Sequence, residues 1–181
     1  MKPSITYRKG RTLAHTLSPS YPGVQIQKNW LMMQHVGFHK CGHCIMCQYA
    51  MDKTLSFSYN THHLYQIASY MNCQSTYCVY AIVCPCGQIY VGSTIRSIQT
   101  RVSEHWRAIR MNDLKYPITV HANSCVKFSL KFHGVECVPP LRRGGNRELM
   151  LRRKEAFWIM KLKAVSQGLN FDHEMHYFLG D

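Results

Sequence analysis

The chain has 181 residues, which suits one domain with at most a small appendage, and 46% of them are apolar, enough for a hydrophobic core. No apolar run approaches bilayer length and the N-terminus lacks the apolar centre of a secretory signal, so we expect neither a membrane protein nor a secreted one. Twenty-two Lys and Arg against nine Asp and Glu give a net charge of +13, so the expected partner is a polyanion, with nucleic acid as the first choice.

The chain divides into three predicted segments. Residues 1–35 contain glycine, proline, serine and scattered charge without periodicity, which indicates a flexible basic N-terminal arm. Residues 36–75 are predicted to form a cysteine-rich, zinc-finger-like module with short strands at 57–59 and 64–67. Residues 76–181 are predicted to form the functional domain.

The nine cysteines are odd in number and are spaced as C-x-x-C-x-x-C and C-x-C. In a chain without a secretory signal these spacings are typical of metal sites rather than of disulfides. A candidate second zinc site lies in the cysteine-rich module, with the ligands Cys41, Cys44, Cys47 and Cys73. His39 and His43 lie close enough in sequence to compete as ligands. A module this small has little core, so a metal would stabilise it.

Residues 78–109 predict a hairpin followed by a helix. The apolar runs 79–83 and 89–91 carry Tyr80 and Tyr90, and the Cys-Pro-Cys-Gly between them has the composition of a turn. These two short strands are therefore expected to lie side by side, with both tyrosines in the sheet.

The helix after the hairpin is predicted to have Thr94 as its N-cap and to bury one apolar stripe. That stripe consists of Ile95, Ile98, Val102, Trp106 and Ile109. His105 falls at the edge of the stripe, and Arg101 lies one turn earlier on the same side. Two phenols, a guanidinium and an imidazole are expected to converge where the helix meets the hairpin.

The rest of the chain completes an α+β pattern. After a short connecting segment at 116–125, the alternation of apolar residues over 126–138 predicts a strand with one buried face. Asn146 is the expected N-cap of a last helix at 147–164. The order strand, strand, helix, strand, helix predicts a small antiparallel sheet flanked by helices.

One acidic residue lies on the apolar face of the last helix. Glu155 follows Leu151 by one helical turn and comes three residues before Trp158, so its carboxylate is expected on the buried side. A buried carboxylate is costly unless it is paired or binds a metal. Two explanations stay open: an ion pair with a neighbouring arginine, or a lone carboxylate ligand for Mg²⁺ (or Mn²⁺), which keeps waters and takes phosphate oxygens as its other ligands.

A first structural zinc site is expected around the hairpin turn, because two cysteines one residue apart and a later His-x-x-x-Cys pair supply four soft or imidazole ligands. Its predicted ligands are Cys84, Cys86, His121 and Cys125. The alternative is two buried free cysteines with an unrelated surface histidine. Cys78 and Cys137 lie on strand-like runs and are expected to be unpaired apolar residues.

Basic residues are concentrated in one short stretch. Six of them fall within thirteen positions: Arg142, Arg143, Arg147, Arg152, Arg153 and Lys154. We expect this stretch to bind the phosphates of a nucleic acid, which gives salt-sensitive affinity without sequence information.

Several motifs resemble those of a known enzyme family. Cys-Val-Tyr ending at Tyr80, Tyr-Val-Gly starting at Tyr90, and the pair Arg101 and His105 resemble the core of a GIY-YIG nuclease. Over roughly residues 30–181, the motifs CGHCIMC, MNCQS, RVSEHW, LRRGGNRE, EAFWI and GLN resemble the endonuclease region at the C-terminal end of Penelope-like retroelement polyproteins. The chain departs from the pattern in having Cys-Val in place of Gly-Ile, and a cysteine where a second zinc-binding histidine is expected.

The resemblance implies a GIY-YIG nuclease fold and a set of active-site residues, namely Tyr80, Tyr90, Arg101, His105, Glu155 and Asn170. Tyr80, assisted by His105 or Tyr90, would take a proton from the attacking water. Arg101 would neutralise charge on the scissile phosphate, and Glu155 would hold Mg²⁺. Asn170 would orient a backbone segment or the glutamate.

Three interpretations follow. The leading one is a metal-dependent DNA endonuclease that nicks target DNA and derives from a retroelement. It would be either part of a larger reverse-transcriptase polyprotein or a stand-alone remnant, with a nuclear location inferred from its substrate. The second is a catalytically inactive, zinc-stabilised nucleic-acid-binding protein from a decayed element. The third is a structure-selective repair nuclease. No sequence signature sets an oligomeric state.

Overall fold

A computed structural model describes residues 36–59, 63–141 and 144–171, so the predicted N-terminal arm lies outside the described residues. Short sheets and three helices alternate along the chain, which confirms the predicted α+β class. In chain order the elements are β1 (Gly37–His39), a 3₁₀ helix (Ile45–Gln48), β2 (Ser56–Phe57), β3 (Tyr65–Gln66), β4 (Tyr70–Asn72), β5 (Cys78–Val83), β6 (Ile89–Thr94), α1 (Ile98–Arg110), α2 (Pro117–Ser124), β7 (Lys131–Cys137) and α3 (Arg147–Lys161).

The main sheet is antiparallel, with β5 between β6 and β7. The predicted hairpin is confirmed: β5 and β6 pair along their whole length, with Tyr80 opposite Gly92. The turn closes through a hydrogen bond from the Gly87 N–H to the Cys84 carbonyl at 2.9 Å, and Gly87 has the positive φ of +93° that glycine adopts without strain. On its other side Tyr80 is opposite Gly134 of β7.

Helix α1 begins three residues later than predicted. Its N-cap is Ser97, whose side chain accepts a hydrogen bond from the Thr100 N–H. Thr94 instead ends β6, and Ile95, predicted to be buried, is exposed because it precedes the helix. The remainder of the predicted stripe faces the protein, with Ile98 and Val102 fully buried.

The prediction for residues 116–138 was wrong at two points. The expected connecting segment forms helix α2, which starts with Pro117 at a position where its missing N–H costs nothing. The strand begins at Lys131 rather than at Val126, whose side chain is fully exposed in a turn. Alternation also fails inside β7, because His133 and Gly134 are both buried by layers on the two faces of the sheet.

Helix α3 agrees with its predicted start. The Asn146 side chain accepts a hydrogen bond from the Leu149 N–H at 3.0 Å, as expected of an N-cap. The helix ends at Lys161, three residues before the predicted end, and Lys163 adopts a positive φ of 52° just beyond it. In the described part of the chain no helix has the length and apolarity that a membrane crossing requires.

Two small sheets pack on the main one. Strands β1 and β4 pair in parallel, and β2 and β3 form an antiparallel pair where short strands were predicted. The Phe38 and Phe132 rings lie 5.8 Å apart, and a Cβ at Gly134 would be 2.9 Å from the Met71 sulfur. The hydrophobic core therefore continues from the cysteine-rich module into the main sheet.

One pair of cysteines corrects the expectation from sequence. Cys78 and Cys137, which we expected to be unpaired, are joined by a disulfide. They are direct cross-strand neighbours of β5 and β7, with their Cα atoms 4.1 Å apart, although 59 positions separate them in sequence. The pairing depends on the register of two distant strands, which spacing alone does not reveal.

Candidate active site and candidate metal centres

Two phenolic rings meet above Gly92. A Cβ built at this residue would lie 2.6 Å from the Tyr80 hydroxyl oxygen and 2.9 Å from a ring carbon of Tyr90. Any larger side chain would have to push at least one ring away. Because residue 92 is a glycine, the rings of Tyr80 and Tyr90 can both pack against this position of β6.

The imidazole of helix α1 contacts the same rings. His105 Nε2 lies 2.7 Å from the Tyr80 hydroxyl oxygen, and the His105 ring packs edge-on against Tyr90 with centroids 5.3 Å apart. The Tyr80 side chain is wholly buried and His105 is 1% exposed. Burial, reinforced by the nearby Arg101 charge, lowers the pKa of His105 to about 3, so the imidazole is neutral at physiological pH.

The second nitrogen of His105 has no hydrogen-bond partner among the residues that the structure describes, although it is buried. A neutral imidazole carries its proton on one nitrogen only, so Nε2 can accept from the phenol when the proton is on Nδ1. An unpaired buried polar atom is rare and costly. Its presence beside a phenol is typical of a site that exchanges protons.

Arg101 lies one helical turn before His105 and is half-buried. Its guanidinium donates to a Glu104 carboxylate oxygen at 3.1 Å, and that carboxylate also pairs with Arg96 at 2.7 Å. Burial alone would lower the pKa of Arg101, but attraction to Tyr80, the bond to Glu104 and attraction to Tyr90 outweigh it and raise the pKa. The cation is thus permanent and is held beside both phenols.

Glu155 of α3 reaches strand β6 from the other end of the chain. Its half-buried carboxylate accepts a hydrogen bond from the Ser93 hydroxyl at 2.7 Å. Ser93 directly follows Gly92, so this hydrogen bond joins α3 to the strand that carries Tyr90 and Gly92. The sequence analysis missed Ser93. The only signal was a hydroxyl residue directly after Tyr-Val-Gly.

Asn170 fixes the backbone of the same strand. Its side-chain oxygen accepts from the Val91 N–H at 2.9 Å, and its side-chain amide donates to the Val91 carbonyl at 2.7 Å. Strand β6 is an edge strand of the main sheet, so this amide takes the place of a missing neighbouring strand. Of the two roles expected for Asn170, the structure shows contact with a backbone segment.

The candidate metal centre of the cysteine-rich module brings together four sulfur atoms, those of Cys41, Cys44, Cys47 and Cys73. The Cys47 sulfur is 3.4 Å from those of Cys41 and Cys44 and 3.7 Å from that of Cys73. Four ligands at the usual Zn–S distance of about 2.3 Å would stand about 3.8 Å apart in a tetrahedron, so the cluster is close to the required size. His39, a competing ligand in the sequence analysis, bonds instead to the Val36 carbonyl.

Local structure explains why these four sulfurs meet. Strands β1 and β4 are parallel, so Cys41 and Cys73, which follow their C-terminal ends, leave the sheet side by side. Cys44 caps the 3₁₀ helix that contains Cys47, and three residues per turn place the two side chains on one side of it.

The other candidate centre contains the four residues predicted around the hairpin turn, namely Cys84, Cys86, His121 and Cys125. The Cys84 and Cys125 sulfurs are 3.8 Å apart, and the Cys86 sulfur is 3.3 Å from His121 Nε2. His121 comes from helix α2, whose C-cap is Cys125. In each centre the candidate ligand atoms all lie within 4.8 Å of one another, so the clusters could hold a metal such as zinc.

The thiols of each centre differ in acidity. Burial opposes ionisation of Cys47, but hydrogen bonds from the Cys41 side chain and from the backbone outweigh it and lower its pKa to about 6. The same balance, with backbone and His121 contacts, lowers the pKa of Cys84 to about 6. Burial raises the pKa of Cys44 to about 11. Each centre therefore provides one ready thiolate, and a metal ion would deprotonate the others on binding.

The four-cysteine centre also contacts the start of helix α1. The Cys73 carbonyl accepts a hydrogen bond from the Gln99 N–H at 2.8 Å, and the Ser75 carbonyl accepts one from the Ile98 N–H at 3.1 Å. These are two of the N–H groups that a helix cannot satisfy by itself. A candidate metal ligand thus helps to anchor the helix that carries Arg101 and His105.

Much of the predicted basic stretch is engaged within the protein. Arg147 stacks on the Tyr77 ring at 3.8 Å and donates to the Val138 carbonyl. Arg152 pairs with Glu148 at 2.6 Å and Lys154 pairs with Glu136 at 2.8 Å. Arg152 and Arg153 are both exposed, and no ion pair involves Arg153 among the described residues, while Arg142 and Arg143 lie outside them. Nucleic-acid binding by this stretch stays a prediction.

No protein family matches the chain, and neither a curated protein nor a solved structure matches it. The GIY-YIG assignment therefore stays a prediction that rests on the residues and motifs of the chain itself.

Proposed function

We propose that this protein is a metal-dependent DNA endonuclease of the GIY-YIG type that hydrolyses one phosphodiester bond at a time. The observation that carries the proposal is the meeting of Tyr80, Tyr90 and His105 at Gly92, with Arg101 beside them and Glu155 fixed to the next residue of the strand. A neutral base, a phenol, a permanent cation and a carboxylate are the groups that phosphodiester hydrolysis needs.

The proton acceptor is Tyr80 of the Tyr80–His105 pair. The Arg101 cation beside the ring favours the phenolate form of Tyr80, which would take a proton from the attacking water. The neutral His105 imidazole, with Nε2 at 2.7 Å from the Tyr80 oxygen, holds that oxygen in place. Arg101, held by Glu104, is placed to neutralise the charge that develops on the phosphate.

Glu155 is the residue that would hold Mg²⁺ (or Mn²⁺). The donor set suits this ion, because a single half-buried carboxylate with a hydroxyl beside it leaves most ligand positions to water and to phosphate oxygens. When bound, the ion supplies positive charge to the phosphate and to the leaving oxygen. Ser93 orients the carboxylate, and Asn170 keeps the strand that carries Ser93 in place.

The roles of the phenol and the guanidinium are tested by two conservative substitutions. In a nicking assay on supercoiled plasmid with added Mg²⁺, Tyr80→Phe and Arg101→Gln should each lower the rate at least about 100-fold, the usual size of a general-base or charge-stabilising contribution. Wild-type rates in both variants would refute the proposed site. Reactions without Mg²⁺ serve as the blank, since a chelator would also attack the cysteine centres.

Both cysteine centres are proposed to bind structural Zn²⁺. Four ligands without an open position are typical of structural rather than catalytic zinc. Freshly purified, reduced protein should contain two equivalents of zinc. Less than one equivalent would contradict both assignments, and one equivalent would leave only one of them.

A second candidate is a zinc-stabilised nucleic-acid-binding protein without catalysis. The observation that favours it is burial: the Tyr80 side chain is fully buried and His105 is 1% exposed. Under this alternative the Tyr80–His105 pair is a core hydrogen bond. DNA binding without nicking in Mg²⁺ or Mn²⁺ would select it.

The origin of the chain is part of the proposal and rests on its motifs alone. The motif order from CGHCIMC to GLN supports descent from a Penelope-like retroelement, either as part of a larger reverse-transcriptase polyprotein or as a stand-alone remnant. A nuclear location is proposed from the substrate, chromosomal DNA.

A further inference from the structure

The outer side of helix α1 borders an open groove, which we call the α1 groove. One part is a cavity of about 440 Å³ between the loop that carries Cys44 and the first turns of α1. The next part is a cavity of about 420 Å³ along the last turns of the helix. Ser103 lines both, so the two cavities adjoin. The groove residues are His43, Cys44, Ile45, Met46, Gln99, Thr100, Ser103, Trp106, Arg107, Arg110 and Met111.

The lining of the α1 groove is basic and lacks acidic groups. No Asp or Glu is among the described residues that line either cavity. Arg107 and Arg110 are exposed, and within residues 36–59, 63–141 and 144–171 neither forms an ion pair, whereas Arg96, Arg101 and Arg152 all do. As cations in the last turn of α1, Arg107 and Arg110 interact favourably with the helix dipole, and each such interaction contributes only about 0.3–1 kcal/mol. Both guanidinium groups face solvent and are open to an anion.

The same groove exposes apolar and aromatic surface. The Trp106 indole is half-buried and packs on the Tyr49 ring with centroids 4.9 Å apart, so its orientation is fixed. Ile45 is 81% exposed and Met111 is 72% exposed at the two ends of the groove. Large apolar side chains at such exposure, rimmed by polar groups, mark a surface that binds a partner.

We propose that the α1 groove binds single-stranded nucleic acid. Phosphates would lie against Arg107 and Arg110, and unpaired bases would stack on Trp106 and its apolar neighbours, the combination that single-strand grooves use. A duplex would use the two charges but would leave the indole and the exposed isoleucine without a role, because its bases are already stacked.

The inference deepens the proposed function, because it adds a strand-binding surface on the helix that carries Arg101 and His105. It does not require catalysis, so the two can fail separately. Binding is measured without added Mg²⁺, by fluorescence anisotropy of a labelled 12-nucleotide oligo(dT), with oligo(rU) and a 12-base-pair duplex as the other arms.

The expected result is a salt-sensitive single-strand affinity that depends on the groove residues. The double variant Arg107→Gln/Arg110→Gln should weaken oligo(dT) binding at least about tenfold and reduce the salt slope by about 1.4, because each lost phosphate contact removes about 0.7 for a single strand. Trp106→Leu should weaken it at least about fivefold, and Trp106→Phe, which keeps an aromatic ring on Tyr49, should restore most of the affinity.

The matched control is Lys127→Gln/Lys131→Gln, which removes the same charge from exposed positions that line neither part of the groove. Equal losses in the two double variants, or duplex binding tighter than oligo(dT) and unaffected by Trp106→Leu, would overturn the inference. Preference for oligo(rU) or for oligo(dT) would identify the strand as RNA or DNA and would support it. Wild-type protein that binds oligo(dT) as expected but does not nick DNA would contradict only the proposed activity.

Discussion

At the scale of single residues, the site depends on one missing side chain. Gly92 lets the Tyr80 hydroxyl approach a point where a Cβ would be 2.6 Å away. A methyl group there must displace a ring that is packed on all sides, and overpacking of a core costs about 1–3 kcal/mol. Gly92→Ala should therefore reduce the free energy of unfolding by about that amount in urea titrations. A variant as stable as the wild type would show that the rings are not locked together.

The Tyr80–His105 bond makes a second prediction, on pH. The folded protein holds His105 at a pKa of about 3 whereas an unfolded histidine titrates near 6.5, so the unfolded state binds more protons between these values. Stability should be fully present above pH ~6.5 and should fall as the pH decreases toward 3. The groups that face His105 are Tyr80, Tyr90, Arg101 and Tyr116.

The measurement is the free energy of unfolding as a function of pH for the wild type and for His105→Gln. The variant should be less stable at pH 7, and the difference from the wild type should shrink as the pH falls below 6.5. His133, whose pKa burial lowers to about 4, contributes in the same direction in both proteins, so only the difference between them reports on His105. A constant difference across pH 4–7 would mean that His105 is not held neutral.

At the scale of elements, strand β6 is an edge strand whose outer side is bonded by the Asn170 side chain and by the Leu169 N–H, which donates to the Ile89 carbonyl. Asn170 both accepts from and donates to the Val91 backbone. Asn170→Ala leaves two buried backbone groups unpaired, which costs about 1–3 kcal/mol for each group left unsatisfied. Asn170→Asp keeps the acceptor and loses only the donor, so it should reduce the free energy of unfolding less than Asn170→Ala does.

The readout is amide hydrogen exchange at Val91, with unfolding titrations alongside. Exchange at Val91 should speed up in Asn170→Ala more than exchange in the central strand β5. Equal changes in both strands would indicate general destabilisation and not a local clamp.

The four-cysteine centre makes an element-scale prediction for helix α1. Because the Cys73 and Ser75 carbonyls hold the Gln99 and Ile98 N–H groups, loss of a metal ligand should loosen the first turn of the helix. In Cys44→Ser, zinc content should fall by one equivalent and exchange at Ile98 and Gln99 should accelerate at least about tenfold.

The matched control is Cys125→Ser in the other centre. It should also lose one equivalent of zinc, yet it should leave exchange at the start of α1 unchanged, because its site joins the hairpin turn to α2. If Cys125→Ser accelerates the same amides equally, the anchoring role of the four-cysteine centre is wrong.

At the scale of the whole molecule, features could be predicted from the sequence where they depend on nearby residues or on the residue type alone. The hairpin, the N-cap Asn146, the α+β class and both groups of candidate metal ligands could be predicted from spacing and residue type. The approach of His105 to Tyr80 followed from helical periodicity combined with the hairpin.

Features that depend on distant pairing could not be predicted. The Cys78–Cys137 disulfide, the parallel pairing of β1 with β4 and the Ser93–Glu155 bond each join segments whose register is set only in the folded chain. The prediction of a strand with one buried face, starting at Val126, was wrong for a related reason. Alternation predicts one buried face, but β7 is covered on both faces.

The central claim is that Glu155 and the phenol, imidazole and guanidinium groups around Gly92 act as one hydrolytic site. The most direct test is the single-turnover rate of plasmid nicking against Mg²⁺ concentration for the wild type and for Glu155→Gln, which keeps the size and an acceptor for Ser93 but removes the charge. We expect the wild-type rate to rise with Mg²⁺ concentration and to saturate. The Glu155→Gln rate should be at least about 100-fold lower, and oligo(dT) binding should be unchanged. A Glu155→Gln protein that nicks at the wild-type rate with the same Mg²⁺ dependence would contradict it.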